Sequence, residues 1–406
     1  MPEDRVALHS EFGTLKSVIM HRPGKEIDRL TPYNKSELLF DDVPFLQQMQ
    51  KEHDEFTVLI KQAAGAQVYR LHELLIDVLI DDNLLLEAIT DALNGSGIEE
   101  HSEEFIARYS TSECAGILLH GIKVNELKRK YQHKVLDKFD DYDYLIKPNP
   151  NLYFMRDPAA VVQTGVISSK MKFPGRQRES KLLRTIFENH DLFKGRVDFL
   201  DTGEGVNTCI EGGDVIVLSD KALAIGHSER TDTKAIEAVA RQVLKKGGVE
   251  RVYEVHLPKV RNCMHLDTVF TIIDENLVVT YPDAMQSVLQ TNVYRLDEVD
   301  SEGNVSLHKE EINDSILKVL QNEIDHLEVV ETGDGNPDYA RREQWFDGAN
   351  VFAIGPRRVI SYNRNIHTNR ALRHAGVEVL EISSSELSRG LGGPRCMTMP
   401  IERQKF

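Results

Sequence analysis

The chain has 406 residues, 41% hydrophobic and 28% charged, which suits one large globular domain or two ordinary ones. Its formal net charge of −16 leaves no excess of Lys and Arg to meet a phosphate backbone, so no nucleic-acid partner is expected, whereas a small cation is attracted by such a surface. No run reaches the roughly 20 apolar residues that cross a bilayer, so no membrane partner is expected either. The opening MPEDRVALHSEFG has neither the basic nor the apolar segment of a secretory leader. Cys114, Cys209, Cys263 and Cys396 are far apart and form no CxxC pair. Structural zinc and a disulfide framework are therefore not expected, and a reducing, cytoplasmic compartment is implied.

In chain order, LKSVIMHRPG over 15–24 predicts the first of several short β units. Between 71 and 146 the periodicity becomes helical: Leu71, Leu74, Leu75, Val78 and Leu79 recur at that spacing, and further helical patterns follow up to Phe139. This predicts a helical insertion domain over 71–146, ended by the rigid Lys147-Pro148-Asn149-Pro150, with 1–70 and 147–406 forming the catalytic body. Four further segments repeat one pattern, an apolar run, a turn and a second apolar run, mostly followed by a helix. They are AAVVQTGVISSK at 159–170, the stretch 214–244, DTVFTIIDENLVVTYP at 267–282, and the stretch 350–376. Units of this size cannot bury a hydrophobic face alone, and repetition around a centre solves that. The expected fold class is α/β: a five-bladed, pseudo-symmetric α/β propeller of ββα-type repeats with an inserted small helical domain. An open α/β sheet is the alternative.

The chemistry-bearing residues lie at the mouths of these units. Asn151-Leu152-Tyr153-Phe154-Met155-Arg156-Asp157-Pro158 holds Asp157 extended before a proline. Arg176 and Arg178 in GRQRES and Arg230 in HSERTD are the basic candidates. Glu211-Gly212-Gly213-Asp214 leads into a strand. Cys263-Met264-His265-Leu266-Asp267-Thr268 is predicted to open another, with His265 and Asp267 on one face as an acid–base centre or metal ligands. No third or fourth ligand at metal-site spacing accompanies them, so no metal is expected. Near the C-terminus Gly390, Gly392 and Gly393 precede Cys396; the glycines are read as allowing positive φ in a mobile loop, and Arg395 beside the thiol as favouring reactivity. Taken singly, each residue has a plainer reading: an apolar core Cys, an acid capping a turn, a surface Arg.

Together, NLYFMRDP, GRQRE, IEGGDV, HSERTD, MHLDT, FDGAN and RCMTMP, in that order, resemble the arginine deiminase family of the guanidine-modifying superfamily. SEFGTLKSVIMHRPGKEIDRLTP and ELLFDD resemble its opening, so the resemblance spans nearly the whole chain. It implies a five-bladed propeller, no cofactor, a homo-oligomer, and conversion of L-arginine and water to citrulline and ammonia. It also implies roles: Cys396 as nucleophile, His265 as acid and then base, Glu211 orienting His265, and Asp157 and Asp267 clamping the guanidinium. Arg176 and Arg230 would meet the α-carboxylate, with Asn151 and Phe154 lining the amino-acid end. A gating arginine found in some members has no counterpart at Leu391-Gly392-Gly393-Pro394, and Arg178 competes with Arg176 for its role. An amidinotransferase or a methylarginine hydrolase on the same scaffold is the alternative activity, and an inactive arginine-binding protein a third reading.

Overall fold

The computed structural model describes residues 6–203, 208–288 and 290–405; the opening residues 1–5 lie outside them. The repeated pattern of the sequence becomes a repeated sheet. Ala159–Val162 and Gly165–Ser168 pair antiparallel, the helix Gln177–Asn189 follows, and Asp198–Leu200 returns parallel to the second strand. Val215–Ser219, Ala222–His227, the helix Thr233–Lys246 and Arg251–His256 repeat this arrangement. So do Phe270–Asp274, Leu277–Thr280, Ile316–Glu323 and Glu328–Glu331, and then Phe352–Gly355, Arg358–Tyr362, Ile366–His374 and Glu378–Ile382.

The fifth sheet differs from expectation. Leu15–Met20 forms no local hairpin; its antiparallel neighbour is the C-terminal strand Met399–Arg403, and Gln67–Arg70 joins parallel after the helix Leu46–Ala64. The two ends of the chain thus complete one sheet, and that brings Cys396, three residues before the last strand, beside the first. A long hairpin, Thr291–Val299 and Val305–Ile312, which the sequence reading did not anticipate, extends the sheet of Arg251–His256 to five strands.

The helix Thr233–Lys246 shows why these elements form. Asp232 caps it by accepting from Ala235 N at 3.0 Å. Ile236, Val239, Ala240, Val243 and Leu244, at spacings of three and four, supply the buried stripe against the sheet. Over 71–146 the described elements are mostly helical, from Leu71–Val78 to Val124–Lys128, with a two-stranded pairing of Ile122–Lys123 and Tyr144–Ile146. Their apolar side chains, Leu75, Ile89, Leu118 and Leu127 among them, join one buried cluster with Val161, Leu183, Ile186 and Val239. Among the described residues no helix is long and apolar enough to cross a membrane.

Candidate active site

Asn151, Phe154, Asp157, Arg176, Arg230, His265 and Cys396 line one small cavity, together with residues 390–392, Leu39, Arg261, Met264 and Thr268. Glu211 and Asp267 stand immediately behind this lining, hydrogen-bonded to His265 and 3.7 Å from Cys396 Sγ respectively. Residues that are up to 357 positions apart in the chain, Leu39 and Cys396 being the extremes, therefore meet at the ends of several sheets.

His265 does not open a strand. It is extended at φ −132°, and Leu266–Thr268 forms a 3-10 turn before the strand begins at Phe270. The turn is fixed from outside: Leu266 N donates to Asp214 Oδ1 at 2.9 Å, and Thr268 Oγ1 donates to the His265 carbonyl at 2.7 Å. Asp214 also accepts from Ser228 Oγ at 2.7 Å, tying the HSERTD segment to the same point. The glycines of the EGGD segment are dictated by closeness. A Cβ on Gly213 would lie 2.6 Å from His265 Nδ1 and 2.9 Å from Asp157 Oδ1, and one on Gly212 would lie 2.1 Å from the Arg156 carbonyl oxygen. Only bare backbone lets the imidazole and the carboxylate settle over this turn.

His265 and Glu211 form a buried pair, Nε2 to Oε2 at 2.9 Å. Burial alone would lower the histidine, but the charge of Asp157, the bond to Glu211 and the charge of Asp214 outweigh it and raise His265 to about 9. Burial opposes ionisation of Glu211, yet His265, Arg230 and Arg176 together lower it to about 2. The pair is thus imidazolium and carboxylate at neutral pH. Arg230 Nη1 lies 3.3 Å from Glu211 Oε2, its guanidinium rests 4.5 Å over the Phe173 ring, and its Nε has no partner among the described residues.

The Cys396 thiol is buried, and burial together with Asp267, Asp157 and Asp347 pushes it well above the usual thiol range. Arg395 does not offset this. Its guanidinium is spent on Asp267 Oδ2 at 2.6 Å and Glu11 Oε1 at 2.9 Å, which corrects the reading that it activates the neighbouring thiol. Asn350, from the FDGAN segment, holds the nucleophile in place: its Oδ1 accepts from Cys396 N at 3.0 Å, and its Nδ2 donates to the Asp267 carbonyl at 2.9 Å. Asp347 of the same segment is buried, and burial and Asp267 raise it to about 8.

The glycines before Cys396 are not at positive φ; the left-handed residue is Leu391, at φ 59°. Their reason is again contact. A Cβ would lie 1.9 Å from Tyr153 Oη at Gly390, 2.1 Å from the Phe154 ring at Gly392 and 2.6 Å from Asn350 Oδ1 at Gly393. The loop expected to be mobile contains the 3-10 turn Leu387–Gly390 and is largely buried. Arg389 turns outward to Asp42 and Glu386.

Asp157 and Asp267 are half-occupied. Asp157 Oδ2 accepts from Arg176 Nη1 at 2.8 Å, as Asp267 Oδ2 does from Arg395, but the Oδ1 atom of each is buried and accepts no hydrogen bond among the described residues. Arg176 is further held by Glu179 through Nε and Nη2, down to 2.8 Å. Arg178 is elsewhere: it bonds the Leu118 carbonyl at 3.1 Å and Asn149 Oδ1 at 2.9 Å, so only Arg176 of the two reaches the cavity. Asn151 gives its side-chain amide to the Leu38 carbonyl at 2.7 Å. Sequence reasoning missed Asn350, Asp214, Asp347 and Arg261. Asn350 and Asp347 lie in a quoted segment, but nothing in FDGAN marks a side chain that grips another loop.

The profile of the family described as arginine deiminase matches residues 36–403. The chain is 36% identical to the arginine deiminase of Staphylococcus haemolyticus over 100% of both sequences. It is 37% identical to that of Lentilactobacillus hilgardii over 98% of this chain and 96% of the relative. Among solved structures it is similar to DDAH from Pseudomonas aeruginosa, a mutant complexed with citrulline, with TM-score 0.53 and 15% identity over 95% of this chain and 99% of that one. It is also similar to unliganded AgrE, with TM-score 0.56 and 14% identity over 96% of this chain and 40% of that one. At such identities the two structures bear on the fold alone.

Proposed function

The chain belongs to the arginine deiminase family, and from that premise we propose how its own residues turn arginine and water into citrulline and ammonia. The observation that carries the reading is a pair of buried carboxylate oxygens that accept no hydrogen bond among the described residues, Asp267 Oδ1 and Asp157 Oδ1, the latter 3.7 Å from His265 Nδ1, beside a buried thiol. A buried carboxylate oxygen without a donor is costly. A guanidinium, planar and always charged, brings N–H donors on both edges and satisfies two such atoms at once. N-methyl groups would remove those donors, so the clamp suits unmethylated arginine.

The docked cation replaces the charge of the thiol proton, which leaves to solvent, and the Cys396 thiolate adds to the guanidinium carbon. Protonated His265 gives its proton to the departing nitrogen; ammonia leaves, and an S-alkylthiouronium remains on Cys396. Neutral His265 then takes a proton from water, whose oxygen adds to the same carbon, and collapse expels the sulfur and frees citrulline. Glu211 keeps His265 charged and aimed. Arg230, whose Nε has no hydrogen-bond partner among the described residues, meets the α-carboxylate first. Arg176 joins it as the substrate takes over Asp157, and Asn151 and Phe154 flank the amino-acid end.

At larger scale, the five similar sheets support a five-bladed propeller carrying the helices of 71–146 as an inserted domain. The assembly is a homo-oligomer in the cytoplasm.

The test is incubation with arginine alone, assaying citrulline and ammonia. Formation of citrulline only when a second amine is supplied points to amidino transfer instead. Cys396→Ser is expected to lower turnover by roughly a thousandfold or more, and acid quenching of the unmodified enzyme should leave an adduct on the peptide containing Cys396. A near-normal rate in the serine variant would remove the nucleophile assignment.

A further inference from the structure

Two histidines and a buried glutamate converge where the parallel strands Ala222–His227 and Arg251–His256 end, away from the thiol. His227 and His256 are register partners, and their rings meet edge to face with centroids 4.7 Å apart. Glu254 lies beneath them with no exposure. Its Oε1 is 3.4 Å from His227 Nδ1 and 3.7 Å from His256 Nε2, and the three atoms fall within 4.8 Å of one another. A tetrahedral ion with bonds of about 2.1 Å to nitrogen and oxygen needs ligand atoms about 3.4 Å apart. The two His–Glu separations are close to that spacing.

The surroundings keep this set ready for a cation. Thr233 Oγ1 donates to Glu254 Oε1, while Asn292 Nδ2 and Tyr294 Oη donate to Oε2 at 2.6 and 2.7 Å. Glu254 is thus a fully buried carboxylate held in place by three neutral donors. Among the described residues its only ionic partners are the two imidazoles. Gln290 Nε2 donates to Asn292 Oδ1 at 3.1 Å, which turns the Asn292 amide so that its NH₂ also donates to His256 Nε2 at 3.0 Å. Nε2 of His256 is thus unprotonated, and an incoming ion displaces Asn292 from its lone pair, as it displaces Thr233 Oγ1, 3.4 Å away, from His227 Nδ1. The histidine side chains are 24% and 28% exposed, so an ion can arrive from solvent and keep a water as its fourth ligand.

We propose that His227, Glu254 and His256 bind a divalent metal of zinc-like, borderline softness, such as Zn²⁺ or Co²⁺. The ion takes no part in the chemistry at Cys396. It pins together two strand ends that run on within a few residues to Arg230 and Arg261, both lining the cavity. The second grouping, His101, Glu104 and His133, also brings its atoms within 4.8 Å, but it lacks a buried carboxylate and serves as the internal control.

Full-length protein stripped with a chelator is titrated with CoCl₂ and followed by visible absorption, then back-titrated with ZnCl₂. One cobalt per chain is expected, with a d–d spectrum free of a thiolate charge-transfer band and bleached by zinc. His256→Gln should weaken binding at least tenfold, while His133→Gln leaves it unchanged. Zinc should raise the melting temperature of the unmodified chain and not that of His256→Gln. Unaltered affinity in His256→Gln, or loss of the spectrum in His133→Gln, overturns the assignment. Anomalous scattering at the zinc edge from crystals of the unmodified chain decides the matter without any variant: a peak among the three side chains supports it, and no peak there overturns it.

Discussion

Cys396 is an unactivated thiol in the free enzyme, because burial and the acids Asp267, Asp157 and Asp347 raise it and the cation next to it in sequence, Arg395, is already paired. Activation then has to arrive with the substrate, and this has a consequence for pH. The competent free form carries a neutral thiol and a protonated His265, so kcat/KM for arginine should stay level through neutrality and fall as pH rises through about 9, where His265 loses its proton. A profile that instead climbs in step with thiol ionisation would contradict substrate-driven activation. Glu211→Gln removes the carboxylate that helps hold His265 up, so the falling limb should move to lower pH and kcat should drop about 10- to 100-fold. Splitting this buried pair should also cost about 3–5 kcal/mol in a denaturant titration. The stability windows follow from the two shifts. His265, raised from 6.5 to about 9, contributes fully below about 6.5 and loses that contribution as pH climbs through 9. Glu211, lowered from 4.5 to about 2, contributes above about 4.5 and loses it as pH falls toward 2.

The loop over 387–396 shows what an element can conceal from its sequence. Three glycines near a reactive residue read as freedom of movement, yet each is there because a neighbour occupies the space of its Cβ. Gly392→Ala should push the Phe154 ring from its seat, and since that ring lines the cavity, KM for arginine should rise about tenfold or more while the far-UV circular dichroism stays native. An unchanged KM would mean the loop yields elsewhere. The hairpin-and-helix units at 214–244 and 350–376 were legible because alternating burial, turn residues and a 3.6-residue stripe are all local signals. Three features were not local. The 3-10 turn of His265 is imposed by Asp214 from another segment, the partner of Leu15–Met20 lies at the far end of the chain, and the hairpin Thr291–Ile312 has mostly exposed strands without a clean apolar alternation. All nine candidate site residues do meet at one cavity or directly behind it, but their roles were readable only through the family resemblance. Metal-ligand spacing along the sequence does not mark His227, Glu254 and His256, because strand register, not sequence distance, unites them.

On the scale of the whole molecule, charge and closure act together. Joining the chain ends in one sheet buries the thiol loop, so the guanidinium clamp lies out of reach of salt, while the net charge of −16 is carried by a surface that salt does reach. The two should separate in kinetics. Counter-ions at about 0.15 M shrink the Debye length to about 8 Å from about 30 Å at 0.01 M. Attraction of arginine to the acidic surface should weaken accordingly, and kcat/KM should fall by about two- to fivefold across that range. Once arginine sits between Asp157 and Asp267, added salt has little to screen, and kcat should hold nearly constant. The measurement is a set of saturation curves in NaCl at fixed pH, with sucrose at matched viscosity as the control for slowed diffusion. A kcat/KM indifferent to salt would reduce the net charge to a matter of solubility, and a kcat that fell with it would mean the clamp is wetter than its burial implies.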